Sequence, residues 1–336
     1  MPLNREVRGE SGRVSIAMAT YNGAAHLRAQ VESLFGQSRM PDELVVHDDA
    51  STDGTQQLLL DIAEKAPFPV RISQADRNHG VNAAFETALR HCRGDIVFFC
   101  DQDDIWHPDK VKACLDALDQ HPEAAFVFSD ASQFTGGCSD LSQSLWQLSA
   151  FSPARQIAFR RSPLETMLKG GNFVYGMASA FRRNAILPFA RIDCDPIAMT
   201  HDTWFSLHTV AMGATGIALP PRLVRYRRHA AQTSVVLGGA AAFGDAGRQK
   251  AQLRAARLIA ALLTVRSNVE REGRSQGIGV TSSLAHLDRK IAFLQARENL
   301  RRDRRIASAL KAIANPDYWH LAKGPASVLR DYRGIW

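Results

Sequence analysis

The sequence predicts an α/β protein with a mostly parallel sheet flanked by helices, followed by a helical and basic C-terminal region. In the first 130 residues, short apolar runs typical of strands alternate with segments whose apolar residues recur at helical spacing. Such alternation favours a parallel sheet, because each crossover helix returns the chain to the same end of the sheet. From about residue 244 the sequence becomes helical in pattern and rich in Ala, Leu and Arg.

The individual elements follow from these patterns. Strands are predicted at residues 14–19, 43–47, 70–72, 95–100, 124–129 and 216–220, and helices at residues 25–35, 56–65, 82–91, 254–265 and 284–314. The run at residues 95–100 is apolar almost throughout, which predicts a strand buried on both faces. Thr52 or Asp53 is the expected N-cap of the second helix. A polar stretch at residues 131–147 predicts a loop.

Composition excludes several classes of protein. The chain has 336 residues, of which 45% are apolar and 22% charged, which is typical of globular proteins and not of disordered ones. It contains no run of about 18 apolar residues of the kind that spans a membrane. The polar N-terminus lacks the apolar core of a secretory signal, so we expect a cytoplasmic protein. Five cysteines without a C-x-x-C pair predict reduced, mostly buried thiols.

The net charge of +7 is unevenly distributed along the chain. Residues 241–336 carry 18 Lys and Arg against 8 Asp and Glu, whereas residues 1–240 are slightly acidic. We therefore predict two units, an α/β domain at residues 1–240 and a basic helical region at residues 241–336. The basic region is expected to contact anionic lipid, to form a homo-oligomer, or to pack with a solvated basic face. Binding of nucleic acid through this tail remains an alternative, although no RNP, zinc or helix-turn-helix pattern accompanies it.

Three carboxylates directly follow the predicted strand at residues 95–100. Asp101, Asp103 and Asp104 would repel one another without a cation among them, and hard oxygen ligands suit Mg²⁺ or Mn²⁺. A solvated acidic loop, or the start of the next helix, is the alternative explanation. A second acidic cluster at residues 48–54 also closes a strand, where Asp, Ser, Thr and Gly equally suit a capped turn. The carboxyl ends of parallel strands are where such sheets bind ligands.

Two further segments carry groups suited to catalysis. His201 and Asp202 precede aromatic residues, and a partly desolvated carboxylate there could act as a general base. The segment at residues 225–229 offers cations to a diphosphate leaving group. Taken alone, either segment could equally be an ordinary surface feature.

Together, these segments resemble the family 2 inverting glycosyltransferases, which have the GT-A fold. The matching segments are residues 14–23, 44–55, 78–82 and 94–110, and the resemblance extends to about residue 235. The Asp-Gln-Asp-Asp-x-Trp motif at residues 101–106 is most similar to that of rhamnosyltransferase-like members. The family's Gln/Arg-x-x-Arg-Trp signature is missing.

The resemblance implies a role for each matching residue. It implies a nucleotide-diphospho-sugar donor, Mg²⁺ or Mn²⁺, and a glycan or lipid-linked acceptor in surface polysaccharide biosynthesis. The catalytic base is Asp202, the metal ligands are Asp103 and Asp104, the donor-binding residues are Ala19, Tyr21, Asp49, Asn78, Asp101, Arg228 and His229, and the acceptor side is formed by Asn172, Tyr175, His201 and Trp204. Lipid-linked acceptors imply peripheral contact of the C-terminal helices with the cytoplasmic face of the inner membrane.

A nucleotidyltransferase is the rival enzyme class, because it also joins an α/β sheet to metal-binding carboxylates. Such an enzyme is expected to have a Gly-rich basic loop after its first strand. The corresponding residues 20–26 read Thr-Tyr-Asn-Gly-Ala-Ala-His, which disfavours that alternative.

Overall fold

The computed structural model describes residues 12–136, 140–229 and 245–303, together with residues 314, 317 and 321. In this part of the chain, eight strands form a single sheet in the order β3-β2-β1-β4-β7-β6-β8-β5. The first four strands are parallel: β1 (Val14–Thr20), β2 (Glu43–Asp48), β3 (Val70–Gln74) and β4 (Ile96–Cys100). The helices that connect them are α1 (Ala24–Phe35), α2 (Thr55–Lys65) and α3 (Val81–His91).

The second half of the sheet is mixed. Its strands are β5 (Ile105–Trp106), β6 (Ala124–Phe134), β7 (Ser179–Arg182) and β8 (Thr215–Arg227). Strand β7 runs antiparallel to both β4 and β6, whereas β8 runs parallel to β6 and antiparallel to β5. The mostly parallel α/β prediction is therefore confirmed, and the antiparallel strands are confined to the half of the sheet that follows β4.

Helices cover both faces of the sheet. The remaining helices are α4 (Lys110–Gln120), α5 (Leu145–Leu148), α6 (Pro153–Arg161), α7 (Pro163–Leu168), α8 (Arg183–Ile186), α9 (His201–Ala211), α10 (Asp245–Gln276) and α11 (Thr281–Asp303), with short 3₁₀ segments at Gly176–Ala178 and Leu187–Phe189. Two apolar cores result, one on each face. The residues of β4 alternate between them: Val97 and Phe99 face one core, and Ile96 and Phe98 the other.

The C-terminal helices pack on the α/β unit through one of these cores. Val265 and Val269 of α10 and Leu287 of α11 are fully buried in the same cluster as Phe205 of α9. The apolar side chains of α10 and α11 therefore pack against the α/β unit, whereas arginines such as Arg271 and Arg274 of α10 are exposed. None of the helices in the described ranges is long and apolar enough to span a membrane. The predicted domain boundary near residue 240 lies outside the described residues.

Two local predictions differ from the structure, and a third is only partly covered by the described residues. Residues 131–134 continue β6 instead of starting a loop, because β8 pairs with them along its whole second half. Helix α2 has Gly54 at its N-cap, so the expected Thr52 or Asp53 cap is wrong by one or two residues. Asp53 nevertheless accepts a hydrogen bond from the Thr55 backbone N–H at 3.1 Å. Helix α11 ends its described part at Asp303, and the predicted continuation to residue 314 falls largely outside the described residues.

The cysteines in the described ranges are free, and Cys92, Cys100 and Cys114 are buried. This agrees with the expectation of reduced core thiols. Cys138 lies outside the described residues.

Candidate active site at the carboxyl ends of the strands

The loops after β1 and β2 are tied together at the edge where both strands end. Asp48 is fully buried and accepts hydrogen bonds from Thr20 Oγ1 at 2.8 Å and from the Ser51 backbone N–H at 3.0 Å. Asn22 Oδ1 in turn accepts a hydrogen bond from the Thr52 backbone N–H at 2.8 Å. Asn22 and Ala50 have φ angles of 48° and 63°, an uncommon region for non-glycine residues. These contacts hold the two loops in one fixed arrangement.

Asp49 fixes the next loop along the edge. Its two carboxylate oxygens accept hydrogen bonds from the backbone N–H groups of His79 and Gly80 at 2.9 and 2.7 Å. Asp49 is only 2% exposed, whereas Asn78 is exposed at the start of this loop. Tyr21 is 47% exposed beside them, as a ring that stacks on a planar group would be. Ala19 lies half-buried near the end of β1.

The acidic loop follows β4, which lies next to β1 in the sheet. Asp104 is fully buried, and Asp103 retains 14% exposure of its side chain. Burial, followed by the charges of Asp103 and Asp202, raises the pKa of Asp101 to about 7. Burial and the neighbouring carboxylates of Asp103 and Asp101 also raise the pKa of Asp104 well above its usual range. The crowding of carboxyl groups where water is partly excluded is thus the cause of both raised pKa values.

Strand β8 brings basic groups to this loop. The Arg227 backbone N–H donates to Asp104 Oδ1 at 3.0 Å, and Arg227 Nε donates to the Asp103 carbonyl at 2.7 Å. His229 Nε2 lies 2.7 Å from Asp103 Oδ2, and the His26 ring lies 4.9 Å from the His229 ring, centroid to centroid. The segment predicted from the sequence to offer cations therefore contacts the acidic loop, with His229 on the carboxylate itself.

Arg228 points elsewhere in the same region. Its guanidinium donates to Gln133 Oε1 at 3.1 Å, so strand β6 holds it beside the site. Asp104 does not cap the helix that follows, because its carboxylate bonds to β8 and α4 has Asp109 at its N-cap.

These residues fit a divalent cation. Asp104 Oδ2 is buried and has no hydrogen-bond partner among the described residues. Unsatisfied carboxylate oxygen and mutually repelling charges are what a hard cation would neutralise. Asp103 and Asp104, the ligands predicted from the sequence, are the groups that could hold it, with Asp101 and the His229 imidazole adjacent. No group of three or more His, Cys, Asp or Glu forms a complete cage within the described ranges, and Mg²⁺ commonly needs only one or two protein carboxylates.

Asp202 lies at the start of α9, and its hydrogen-bond partner Gly176 begins the 3₁₀ segment that packs against β4, the strand leading into Asp101. Asp202 Oδ1 accepts from the Thr200 hydroxyl and the Thr203 backbone N–H, both at 2.5 Å. Its Oδ2 accepts from the Gly176 backbone N–H at 3.1 Å and from Asn172 Nδ2 at 3.3 Å. The carboxylate is 7% exposed and held from both sides, so its orientation is fixed.

The predicted acceptor-side residues divide into two groups. Asn172 contacts Asp202 directly, and Tyr175 lies half-buried one residue before Gly176, where burial raises its pKa to about 12. Trp204 is a correction: its side chain is fully buried and its indole N–H donates to the Phe189 carbonyl at 2.9 Å, so it belongs to the core and lines no acceptor surface.

His201 is also buried, at 5% exposure. Its ring stacks on Phe85 with centroids 3.8 Å apart and meets Phe99 edge-on at 5.0 Å. Neither ring nitrogen has a hydrogen-bond partner within the described ranges, and burial lowers the pKa of His201 to about 4. The neutral imidazole ring therefore packs directly against Gly176, whose backbone N–H donates to Asp202.

Sequence reasoning gave no individual role to four residues that shape this site, Gln102, Lys110, His26 and Arg227, although Arg227 lies in the basic segment that it predicted. Lys110 is fully buried, and its Nζ donates to the Met177 carbonyl at 2.6 Å over the Trp106 ring. Burial lowers the pKa of this lysine to about 7. The contacts of all four depend on long-range pairing of strands, and no local pattern in the sequence signals them.

A family model described as glycosyl transferase family 2 matches residues 15–186 of this chain. The chain belongs to glycosyl transferase family 2. The matched segment contains the loops after β1, β2 and β4, and thus the acidic loop and the Tyr21–Asp49 region. Asp202 and the basic end of β8 lie beyond it.

Individual relatives are similar to parts of this chain. An uncharacterized protein of Mycobacterium tuberculosis is 28% identical over 220 residues, which are 65% of this chain and 59% of that relative. The chondroitin synthase of Escherichia coli is 35% identical over 116 residues, 34% of this chain and 17% of that enzyme. This chain thus spans about 59% of the length of the mycobacterial relatives it matches.

Solved structures share the fold. TarS 1–349 of S. aureus, in complex with UDP-GlcNAc, superposes with a TM-score of 0.55 over 96% of this chain and 82% of that one, at 15% identity. At this identity the likeness establishes the GT-A type α/β fold, which the sequence predicted.

Proposed function

We propose that this family 2 glycosyltransferase moves a sugar from a nucleotide-diphosphate donor to a hydroxyl group of a glycan or lipid-linked acceptor, with inversion at the anomeric carbon. The observation that carries the proposal is that distant parts of the chain bring two acidic groups to the end of β4: the acidic loop that follows this strand, and Asp202, which is fixed by the Gly176 segment packed against it. We place the reaction in the cleft between these groups. One end of this cleft suits a diphosphate and its cation, and the other end suits a reacting hydroxyl. Family membership favours this reaction over nucleotidyl transfer.

Asp202 is the proposed catalytic base. Its carboxylate, fixed by Thr200, Thr203, Asn172 and Gly176, would take the proton of the acceptor hydroxyl as that oxygen attacks the anomeric carbon. The bond to the departing diphosphate breaks on the opposite face of the sugar, so the configuration inverts. Fixing the carboxylate beforehand avoids reorganisation at the moment of proton transfer.

Charge on the departing diphosphate is neutralised at the other end of the cleft. Asp103 is the proposed ligand of Mg²⁺ or Mn²⁺, and the bound cation would supply electrostatic stabilisation of the leaving group. His229 and Arg228 add positive or hydrogen-bonding groups beside it. Tyr21, Asp49 and Asn78 lie where the nucleoside would extend away from the diphosphate.

The donor and acceptor are proposed at the level of chemical class. The TarS complex with UDP-GlcNAc and the chondroitin synthase relative support a nucleotide-sugar donor and a polysaccharide product. The sequence of the acidic loop, residues 101–106, supports a deoxyhexosyl donor of the rhamnosyl type. A panel of UDP-, GDP- and dTDP-sugars with Mg²⁺ or Mn²⁺, scored by donor hydrolysis and thermal stabilisation, identifies the donor. Lack of any response across the panel would contradict the proposal.

The decisive variant is Asp202→Asn, which keeps the shape of the side chain but removes its basicity. We expect turnover to fall by about a hundred- to ten-thousand-fold while the donor's dissociation constant stays within about twofold. The matched control is Asp119→Asn on the exposed face of α4, which should leave both quantities unchanged. Normal turnover of Asp202→Asn would show that another group is the base.

We also propose peripheral contact with the cytoplasmic face of the inner membrane, through the basic C-terminal region. Exposed arginines of α10, including Arg271 and Arg274, support attraction to anionic headgroups. The full chain should float with vesicles that contain an anionic lipid, and less with purely zwitterionic ones. Equal flotation with both would remove the electrostatic basis of this contact, and strongly salt-dependent DNA binding would favour the nucleic-acid alternative.

A further inference from the structure

Gln102 joins the two halves of the proposed donor site. The Tyr21 backbone N–H donates to Gln102 Oε1 at 2.9 Å, and Gln102 Nε2 donates to the Tyr21 carbonyl at 2.9 Å. One carboxamide thus satisfies both backbone polar groups of a residue in the neighbouring loop. Strands β1 and β4 pair side by side, with Met18 opposite Cys100, so their loops leave the sheet together.

Gly23 provides the space for this contact. A Cβ atom built at Gly23 would overlap the Gln102 side chain, with Oε1 as the nearest atom. Any side chain at position 23 would therefore displace the carboxamide from Tyr21. The arrangement depends on two loops of the chain at once, a glutamine in one and a glycine in the other.

Gln102 lies between two groups of residues with different proposed tasks. Asp101 and Asp103, its neighbours in the chain, face the diphosphate and its cation. Tyr21, whose ring is 47% exposed, is the platform for the nucleobase. A rigid link between these groups sets the distance between base and diphosphate sites before any ligand arrives. Such preorganisation increases affinity for a ligand that fills both sites.

We propose that Gln102 is a positioning residue that couples recognition of the nucleobase to recognition of the metal-bound diphosphate. The inference rests on the proposed nucleotide-sugar function and deepens it. Gln102 itself contacts the Tyr21 backbone, which leaves the tyrosine ring free to meet the base. A ligand that spans both sites should depend on this link, whereas a ligand that occupies only the base side should not.

The chemistry of the link requires a carboxamide. A glutamate at position 102 could still accept from the Tyr21 N–H, but it could not donate to the Tyr21 carbonyl, and its charge would face that oxygen. An alanine would lose both hydrogen bonds. Gln102→Glu and Gln102→Ala therefore form a graded pair, and the same two changes at exposed Gln120 on α4 are the matched controls.

The experiment compares nucleoside diphosphates with monophosphates. Dissociation constants are measured by calorimetry for UDP, GDP and dTDP with Mn²⁺, and for the corresponding monophosphates. For the diphosphate that the unaltered chain binds, we expect Gln102→Ala to weaken binding about three- to tenfold, the effect of losing one or two hydrogen bonds. Binding of the matching monophosphate should change less than about twofold, and the Gln120 variants should change neither.

A second readout needs no ligand. Hydrogen–deuterium exchange of the peptide that contains Tyr21 should speed up in Gln102→Ala, because the Tyr21 N–H loses its acceptor, and should stay slow in Gln102→Glu. Unchanged exchange in Gln102→Ala, or equal weakening of monophosphate and diphosphate binding, would overturn the coupling role. If the unaltered chain binds none of the three diphosphates, the proposed function itself fails, and that result is distinct from either outcome at Gln102.

Discussion

The hydrogen bond from the Gly176 backbone N–H to Asp202 Oδ2, 3.1 Å long, depends on the ring of His201. A Cβ built at Gly176 would overlap His201 Nε2, so the imidazole occupies the space that a side chain at 176 would need. The ring cannot move away easily, because it is buried between Phe85, stacked on its face at 3.8 Å, and Phe99, in an edge contact at 5.0 Å. Glycine at 176 and the buried histidine at 201 therefore together set the position of the amide that orients the proposed base.

Gly176→Ala tests this arrangement. The added methyl group should push residue 176 away from His201 and lengthen the hydrogen bond to Asp202. We expect turnover to fall about ten- to a hundredfold, the scale of an ångström-sized misplacement, with little change in nucleotide affinity. Gly279→Ala is the matched control, because a Cβ there meets no atom within 4 Å. An unchanged kcat in Gly176→Ala would indicate that this amide does not orient the base.

The sequence predicted the chemical groups of the site better than their contacts. Asp103 and Asp202 stand out because carboxylates at strand ends, in the order of a known family, are a local pattern. The roles of Gln102 and Arg227 depend on which strands are neighbours, and pairing of β1 with β4 or of β5 with β8 leaves no local mark. Trp204 was misplaced because an aromatic residue two positions after the proposed base can face either the cleft or the core.

At the scale of the elements, the first four strands and their helices match the predicted ones to within about two residues at most ends. The apolar runs of β1, β2 and β4 are buried on both faces, which gives a clear signal, whereas β3 lies at the edge of the sheet and is only partly buried. Strand β6 was predicted too short, because its last residues, 131–134, include Ser132 and Gln133 at the start of a polar stretch of sequence, yet they are buried and paired with β8. Ser132 and Gln133 are buried there, and ladder hydrogen bonds with β8 compensate for their polar backbone.

The C-terminal helices were predicted as helices, but their packing was left open. The Leu287 side chain of α11 is fully buried. It lies in the cluster that also contains Val265 of α10 and Phe205 of α9. Arg266 of α10 pairs with Asp288 of α11 at 2.5 Å on the outer side. The two helices therefore form a hairpin whose apolar side completes a core and whose polar side carries the charge.

Leu287→Ala tests whether this packing contributes to the stability of the folded chain. Truncation of a fully buried leucine should lower the free energy of unfolding by about 2–5 kcal/mol, because a cavity remains in the core. Leu263→Ala on α10, where the side chain is 47% exposed, should change it by no more than about 0.5 kcal/mol. Urea unfolding followed by circular dichroism measures both. Equal effects at the two positions would mean that α11 is not part of the core in solution.

At the scale of the whole molecule, a buried histidine links α9 to α10. His208 is fully buried, with Nδ1 2.8 Å from the Trp204 carbonyl and Nε2 3.3 Å from Asn268 Nδ2. The carbonyl can only accept, so Nδ1 carries the proton and Nε2 accepts from Asn268. This is the neutral tautomer. Burial, with a smaller contribution from Arg271, lowers the pKa of His208 to about 3.

The low pKa makes the folded state sensitive to acid. In the unfolded chain a histidine takes up a proton near pH 6.5, whereas His208 in the folded chain stays neutral down to about pH 3. Between these values the unfolded state binds more protons, so the free energy of unfolding falls as the pH falls. The slope is at most about 1.4 kcal/mol per pH unit for one such group. His201, with its pKa near 4, adds to the same trend over a narrower window.

His208→Gln should therefore flatten the acid dependence of stability. Glutamine can also donate and accept but does not titrate, so we expect the loss of unfolding free energy between pH 7 and pH 5 to shrink by about 2 kcal/mol. Urea unfolding at both pH values, with His121→Gln as the control, measures this difference; the His121 side chain is 52% exposed. An unchanged loss in His208→Gln would mean that this histidine is already charged, or solvated, in the folded protein. The contact between the α/β unit and the C-terminal helices would then be looser than the packing of His208 on Asn268 implies.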